Sequence, residues 1–253
     1  MTFDRTTCSV SPGSHINLLI RSLNPGDLRL LAPHLERISI SGGETVISPD
    51  TPLTRMLFPE TLLVGFREAS GVGLSTQIGM VGREGLVGWP LLLGTDQSAL
   101  LGFAQLHDGT ALAIDAKKLK AACRVSETLK DSLLRYVHNF MAQLANTIVS
   151  NASDPIERRM ARWLLMLHDR IDEDAFSVTH DHISSALSVR RASVTDCLHI
   201  MEGEGLLRCM RGRLAIRDRE RLKQLAGTSY GSVEAHYARH IGPPVRMVQA
   251  DHG

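Results

Sequence analysis

Residues 179–207 read THDHISSALSVRRASVTDCLHIMEGEGLL, and the spacing of their apolar positions decides how the second half of the chain folds. Ile183, Ala186 and Leu187 fall on one face of a short helix that Thr179 is placed to cap. Ser188 and Val189 form a turn. A second helix, starting near Arg190 or Arg191, buries Val194, Leu198 and Met201 until Gly203 and Gly205 end it. This is the pattern of a helix–turn–helix, in which apolar residues lock two helices together and the N-terminal half of the second projects outward. Residues 206–208 then read as a strand, Arg211-Gly212-Arg213 as a tight basic turn and 214–216 as a returning strand, together a β-wing. Asp218 caps a last helix carrying Leu222 and Leu225.

The chain as a whole carries a net charge of only +1. Any affinity for an anion must therefore come from a local patch. From residue 190 to 223 there are nine Lys or Arg against five Asp or Glu. The arginines sit at the start of the second helix and at the tip of the wing, where guanidinium groups can bond phosphate oxygens or base edges. A lone Arg-Arg pair is usually a solvated helix start; that reading leaves the two-helix spacing, the wing and the second arginine site without an account. The candidate DNA contacts are Thr179, His180, Arg190, Arg191, Ala192, Ser193, Thr195, Asp196, His199, Arg211 and Arg213. Ser193 and Thr195 offer hydroxyls, Ala192 keeps the helix surface low, and His180, at a helix start, is expected to neighbour a DNA phosphate rather than a metal.

Upstream, residues 126–151 contain no Pro or Gly, and Leu129, Leu133, Tyr136/Val137, Phe140, Leu144 and Ile148 recur in steps of three and four. One long helix capped by Ser126 is expected. Such a narrow stripe suits packing on its own domain, and it also suits pairing with a second copy; Leu129, Leu133, Val137, Phe140, Leu144 and Ile148 are the candidate dimerisation set. Asp154-Pro155 breaks this helix and starts another over 156–170, with Met160, Trp163, Leu164 and Leu167 on its buried face; the acidic stretch 169–174 reads as a loop.

The first half is punctuated by turn signals such as Asn24-Pro25-Gly26-Asp27, Ser41-Gly42-Gly43-Glu44 and Gly82-Arg83-Glu84-Gly85. Between them lie short strand-like segments at 45–47, 62–67, 74–81 and 111–114, the texture of an all-β roll or sandwich. Leu18, Leu19, Leu23, Leu28, Leu31 and Leu35 make a short amphipathic helical lead-in broken at Asn-Pro-Gly. The fold class expected is α+β: a β-roll over 15–122, a dimerisation helix over 123–151, a winged helix–turn–helix over 152–227, and a flexible tail over 228–253 to which no role is assigned.

These features resemble the Crp/Fnr family of bacterial transcription regulators. The resemblance rests on IERRMARWLLMLHDR (156–170), LSVRRASVT (187–195), Gly205-Leu206-Leu207 and RGRLAIRDRE (211–220), with FPE at 58–60 and GREGLVG at 82–88 in the first half. It implies an N-terminal β-roll of the cyclic-nucleotide-binding type and a homodimer on a near-palindromic operator, with double-stranded DNA and RNA polymerase as partners. By position, Arg190, Arg191, Ala192, Ser193 and Asp196 fall where the family's recognition helix reads DNA. Members that recognise a TGTGA-like half-site have Glu where this chain has Ala192 and Arg where it has Asp196, so a different operator is expected.

In members that bind cAMP, a Gly-Glu pair and an Arg hold the ribose and the cyclic phosphate. Here Gly88 is followed by Trp89, and no Arg occurs between Arg83 and Arg124. An uncompensated phosphate in a partly buried site is costly, so cAMP binding in that mode is not expected. Gly88, Trp89, Leu91 and Ser98 mark either an apolar effector pocket or a filled core. No cofactor is identified, and a haem or small-molecule effector stays open. Clustered cysteines for an iron–sulfur centre are absent: Cys8, Cys123, Cys197 and Cys209 are scattered, which reads as a reducing compartment. His180 and His182 do not share a helical face, which argues against a metal there.

Mean hydropathy is −0.03, no apolar run reaches a membrane span, and the first residues have no apolar leader; a cytoplasmic protein is expected. No P-loop, nucleophile elbow or HExxH motif is present, and the chain does not read as an enzyme. The alternative to a DNA-binding regulator is a ligand-binding regulatory subunit that docks a protein partner; the basic wing argues against it.

Overall fold

A computed structural model describes residues 17–69 and 76–243. Two short helices lead in, α1 (Leu18–Arg21) and α2 (Pro25–Leu31). Asn17 caps α1 through its side-chain oxygen and donates its amide to Pro59 O (2.8 Å) and Gly85 O (2.9 Å), which fixes the lead-in to the roll. Seven strands follow: β1 (Glu36–Ile40), β2 (Thr45–Ile47), β3 (Arg55–Pro59), β4 (Val64–Glu68), β5 (Gln77–Val81), β6 (Leu100–Ala104) and β7 (Gly109–Asp115). They form two antiparallel sheets, β1-β7-β3 and β2-β6-β4-β5. The strand expected at 74–81 is found from Gln77; residues 74 and 75 lie outside the described residues. β3 is buried over Met56, Leu57, Phe58 and Pro59 in succession. It therefore lacks the alternation that marks a half-exposed strand.

Helix α3 (Ala116–Val125), capped by Asp115, occupies a stretch divided above between the roll and the long helix. α4 (Glu127–Ser153) follows, with the Ser126 hydroxyl accepting from Leu129 N. At 27 residues it is about 40 Å long. Its start is held by the buried carboxylate of Asp27, which accepts from Ser126 Oγ (2.5 Å) and Thr128 Oγ1 (2.8 Å).

The dimerisation set divides on inspection. Leu129, Leu133 and Phe140 belong to the roll's own core, Val137 is buried and Leu144 is half-buried against that core. Only Ile148, at 58% exposure, is left for a partner. The reason is geometric: apolar spacing along a helix says that a face is covered, not which surface covers it. The apolar side chains α4 leaves outside are Met141, Ile148 and Val149, with half-buried Leu134 one heptad before Met141.

The C-terminal half consists of α5 (Ile156–His168), β8 (Ala175–Ser177), α6 (His180–Leu187), α7 (Arg191–Gly203), β9 (Leu207–Met210), β10 (Arg213–Ile216), α8 (Arg219–Ala226) and α9 (Ser232–His240). β8 pairs with β10 and completes a three-stranded sheet. Leu63 and Met80 of the roll sit in the core of this half, and Trp163 Nε1 donates to Gln77 Oε1 (3.2 Å) across the seam.

The tail expected from residue 228 is not without structure. Glu234 accepts from Gly231 N, and Val233 and Tyr237, four residues apart, bury themselves where α9 packs on α4. Tyr237 donates its hydroxyl to Glu84 O (2.8 Å). Two well-spaced apolar residues suffice because α4 supplies the other face. Residues 244–253 lie outside the described residues.

Candidate nucleic-acid interface

Thr179 caps α6 reciprocally: its hydroxyl accepts from His182 N (3.2 Å) and His182 Nδ1 accepts from Thr179 N (3.3 Å). α6 ends at Ser188, a non-glycine residue in the left-handed region (φ 54°). The turn is closed by Val189 N donating to Ser184 O (3.1 Å). α7 then begins behind Arg190, whose side chain does not cap it. The first amides of α7 lack a side-chain acceptor at their cap, and the positive end of the helix is open to an anion.

Val194, Cys197, Leu198 and Met201 bury the inner face of α7. Burial pushes the Cys197 thiol up to about 12, so it serves as a core residue and not a nucleophile. On the outer face Arg190, Arg191, Ala192, Asp196 and His199 are exposed, while Ser193 and Thr195 are half-buried. Ala192, Asp196 and His199 follow the four-then-three spacing of a single helical face.

Not every candidate side chain is idle. Thr195 Oγ1 lies 3.0 Å from His180 Nδ1 and donates to Arg191 O, so both residues are engaged between the two helices. Arg191 is paired with Asp181 (2.9 Å) and Arg213 with Glu173 (3.0 Å), both exposed pairs. Such pairs are worth little in water and yield readily to a phosphate. Asp181 and Glu173 were not read from the sequence as part of this surface; the acidic run 172–174 was the available signal. Arg190 and Arg211 have no carboxylate partner among the described residues, and Asp196 has no cation. The wing turn is Arg211-Gly212, with Gly212 at φ 71°, a conformation that favours glycine.

The four candidate effector residues are held by packing and backbone contacts. Trp89 packs against Phe66 (ring centroids 4.9 Å) and Phe140 (4.7 Å), and Phe66 lies 5.5 Å from Phe140. Gly88 takes φ 102° to open the short 3-10 turn Trp89–Leu92, Leu91 is 3% exposed, and the Ser98 hydroxyl is spent on the backbone of Leu100. Phe66, Trp89 and Phe140 thus form an aromatic triangle.

Residues 158–225 match the Crp-like helix-turn-helix domain, a span that takes in α6, α7, the wing and most of α8. The chain thus carries a Crp-like helix-turn-helix domain. It is 24% identical over 199 residues to the transcriptional regulator SdrP of Thermus thermophilus, covering 76% of this chain and 94% of that protein. The fold is shared with FixK2 from Bradyrhizobium japonicum, with TM-score 0.67 and 16% identity over 77% of this chain and 98% of that one. It is shared as well with TTHA1359, a Crp/Fnr-family transcriptional regulator from Thermus thermophilus, with TM-score 0.62 and 21% identity over 77% and 100%. Crp/Fnr-type chains are regulators of transcription rather than enzymes. Among the described residues no helix is long and apolar enough to cross a membrane.

Proposed function

We propose that this chain is a homodimeric transcription regulator of the Crp/Fnr type that binds a near-palindromic operator in double-stranded DNA and is not controlled by cAMP in the usual mode. The carrying observation is the outer face of α7: an uncapped helix start, exposed Arg190 and Arg191, and an apolar inner face, flanked by the basic wing turn. Two copies joined along α4 would set two such helices one helical turn of DNA apart. The apolar residues available for that junction are Leu134, Met141, Ile148 and Val149. The aromatic packing at Trp89 and the missing arginine support independence from cAMP. Contact with RNA polymerase and a cytoplasmic location follow from the same reading.

The test pairs a binding assay with a measurement of mass. Purified protein is titrated against a genomic fragment library at several salt concentrations, and sedimentation gives its oligomeric state. Arg190→Ala with Arg191→Ala is expected to abolish specific binding and to lower the salt slope by about two, one per lost phosphate contact. Met141→Asp with Ile148→Asp is expected to yield monomers. Unchanged specific binding in the arginine variant sinks the reading surface, and a dimer that survives both aspartates sinks the junction.

A further inference from the structure

Where α9 folds back on α4 the packing is incomplete. A cavity of about 640 Å³ lies between the 82–88 loop, α4, the C-terminal end of α5, α8 and α9. Small-molecule sites have volumes of this order and favour junctions between domains. None of the four candidate effector residues lines it, although Phe140, which packs on Trp89, forms part of its wall.

Its charged lining is already paired. Arg170 bonds Glu84, Arg219 bonds Asp169, and Lys223 bonds Glu220. The two arginines are held in buried or partly buried pairs and only Lys223, in an exposed pair at the rim, could be drawn away, so the interior offers no free cation to an anion. Glu234, which also lines the cavity, reinforces this: burial, then the nearby Asp169, pushes its carboxyl above the usual range. Phe140, Val233 and Tyr237 give the cavity an apolar wall.

Two polar side chains in that wall are half used. Asn139 and Gln143 lie one turn apart on α4 and are 5% and 4% exposed. Asn139 Oδ1 lies 3.0 Å from His236 Nδ1, and Gln143 Oε1 accepts from Met80 N at 2.9 Å. Among the described residues neither amide NH₂ group has a protein partner, and neither is sealed from solvent. Both donors line the cavity without a protein partner, so they are free to bond an acceptor inside it. We propose that this cavity binds an uncharged, largely apolar small molecule carrying two carbonyl-type oxygens roughly 5–6 Å apart, with Asn139 and Gln143 donating one hydrogen bond to each. Para-quinones are the simplest compounds of that description. This proposal does not rest on the DNA-binding reading.

The test is calorimetric titration of the full chain with duroquinone, which is uncharged and whose ring carbons are all substituted, so that cysteine thiols do not add to it. Saturable one-to-one binding is expected. Asn139→Asp and Gln143→Glu keep the oxygens that serve His236 and Met80 but lose the donors; each is expected to weaken binding at least about tenfold. Ala235 is exposed and lines the cavity, so Ala235→Trp is expected to fill it and abolish binding while melting like the parent. Absence of saturable binding to the parent overturns the proposal. So does unchanged affinity in all three variants, or equal affinity for tetramethylbenzene, which has no carbonyl. DNA binding is not part of the readout, so failure here is distinct from failure of the regulator reading.

Discussion

The Glu84–Arg170 pair offers a quantitative test of how the two halves are joined. Glu84 belongs to the 82–88 loop of the roll and Arg170 to the end of α5; Arg170 Nε and Nη2 lie 2.9 and 2.8 Å from Glu84 Oε1, and each side chain is 7% exposed. Removing one partner leaves the other charge buried, with Gly82 N as a remaining hydrogen-bond donor to Glu84, or Met166 O as acceptor and Asp169 and Glu234 as the nearby acids for Arg170. Breaking a pair in this state costs about 3–5 kcal/mol, whereas replacing both partners together is often close to neutral. For a chain of this size 1 kcal/mol is about 2–4 °C in Tm, so Arg170→Met and Glu84→Gln should each lower Tm by roughly 6–20 °C. The double variant should recover most of that loss. The assay is thermal melting by circular dichroism for Tm, with urea unfolding followed by tryptophan fluorescence for the free energy, since Trp163 sits at the seam. A single-variant cost below about 1 kcal/mol, or a double variant equal to the sum of the singles, would refute the claim that this ion pair is desolvated and shared between the halves.

Other perturbations reach different parts of the same junction. A Cβ built on Gly85 would stand 1.9 Å from both Cζ and the hydroxyl of buried Tyr136, so Gly85→Ala should cost about 1–3 kcal/mol or more by thermal melting, and adding Tyr136→Leu should restore most of it. His236 on α9 faces His138 and Asn139 of α4 and lies beside Arg239 and His240 of its own helix. Burial and then those neighbouring charges hold its imidazole below the usual 6.5. A depressed histidine contributes stability that is present above 6.5 and lost as pH falls through the folded value. Amide protection in α9, corrected for intrinsic exchange, should therefore drop below that pH while α4 holds. Equal protection across the range would contradict it.

How much was legible in the sequence depended on how local the signal was. The helix–turn–helix was readable because Ile183, Val194, Leu198 and Met201 meet within one supersecondary unit. The wing was readable because Gly212 marks its turn. β3 escaped because a strand buried on both faces has no alternation, and α9 because its two apolar anchors gain meaning only against α4. The apolar stripe of α4 was identified, but Leu129, Leu133 and Phe140 serve the chain's own roll, a choice that depends on distant strands. Asp181 and Glu173 acquire a role only when folding sets them beside Arg191 and Arg213.

The seam between the halves has a further consequence. The roll contributes fully buried Leu63 and Met80, with half-buried Leu106 packed beside them, to the C-terminal core, while Gln77, Gln105, Gln143 and Glu84 supply polar contacts there or nearby. Exposing two such apolar side chains costs about 3–6 kcal/mol, and separated amides exchange their partners for water at little net change. Driving a two-state equilibrium from 1:99 to 99:1 takes about 5.5 kcal/mol. The joint is thus firm enough to populate one arrangement at rest, yet soft enough for the differential affinity of a single bound molecule to reverse it.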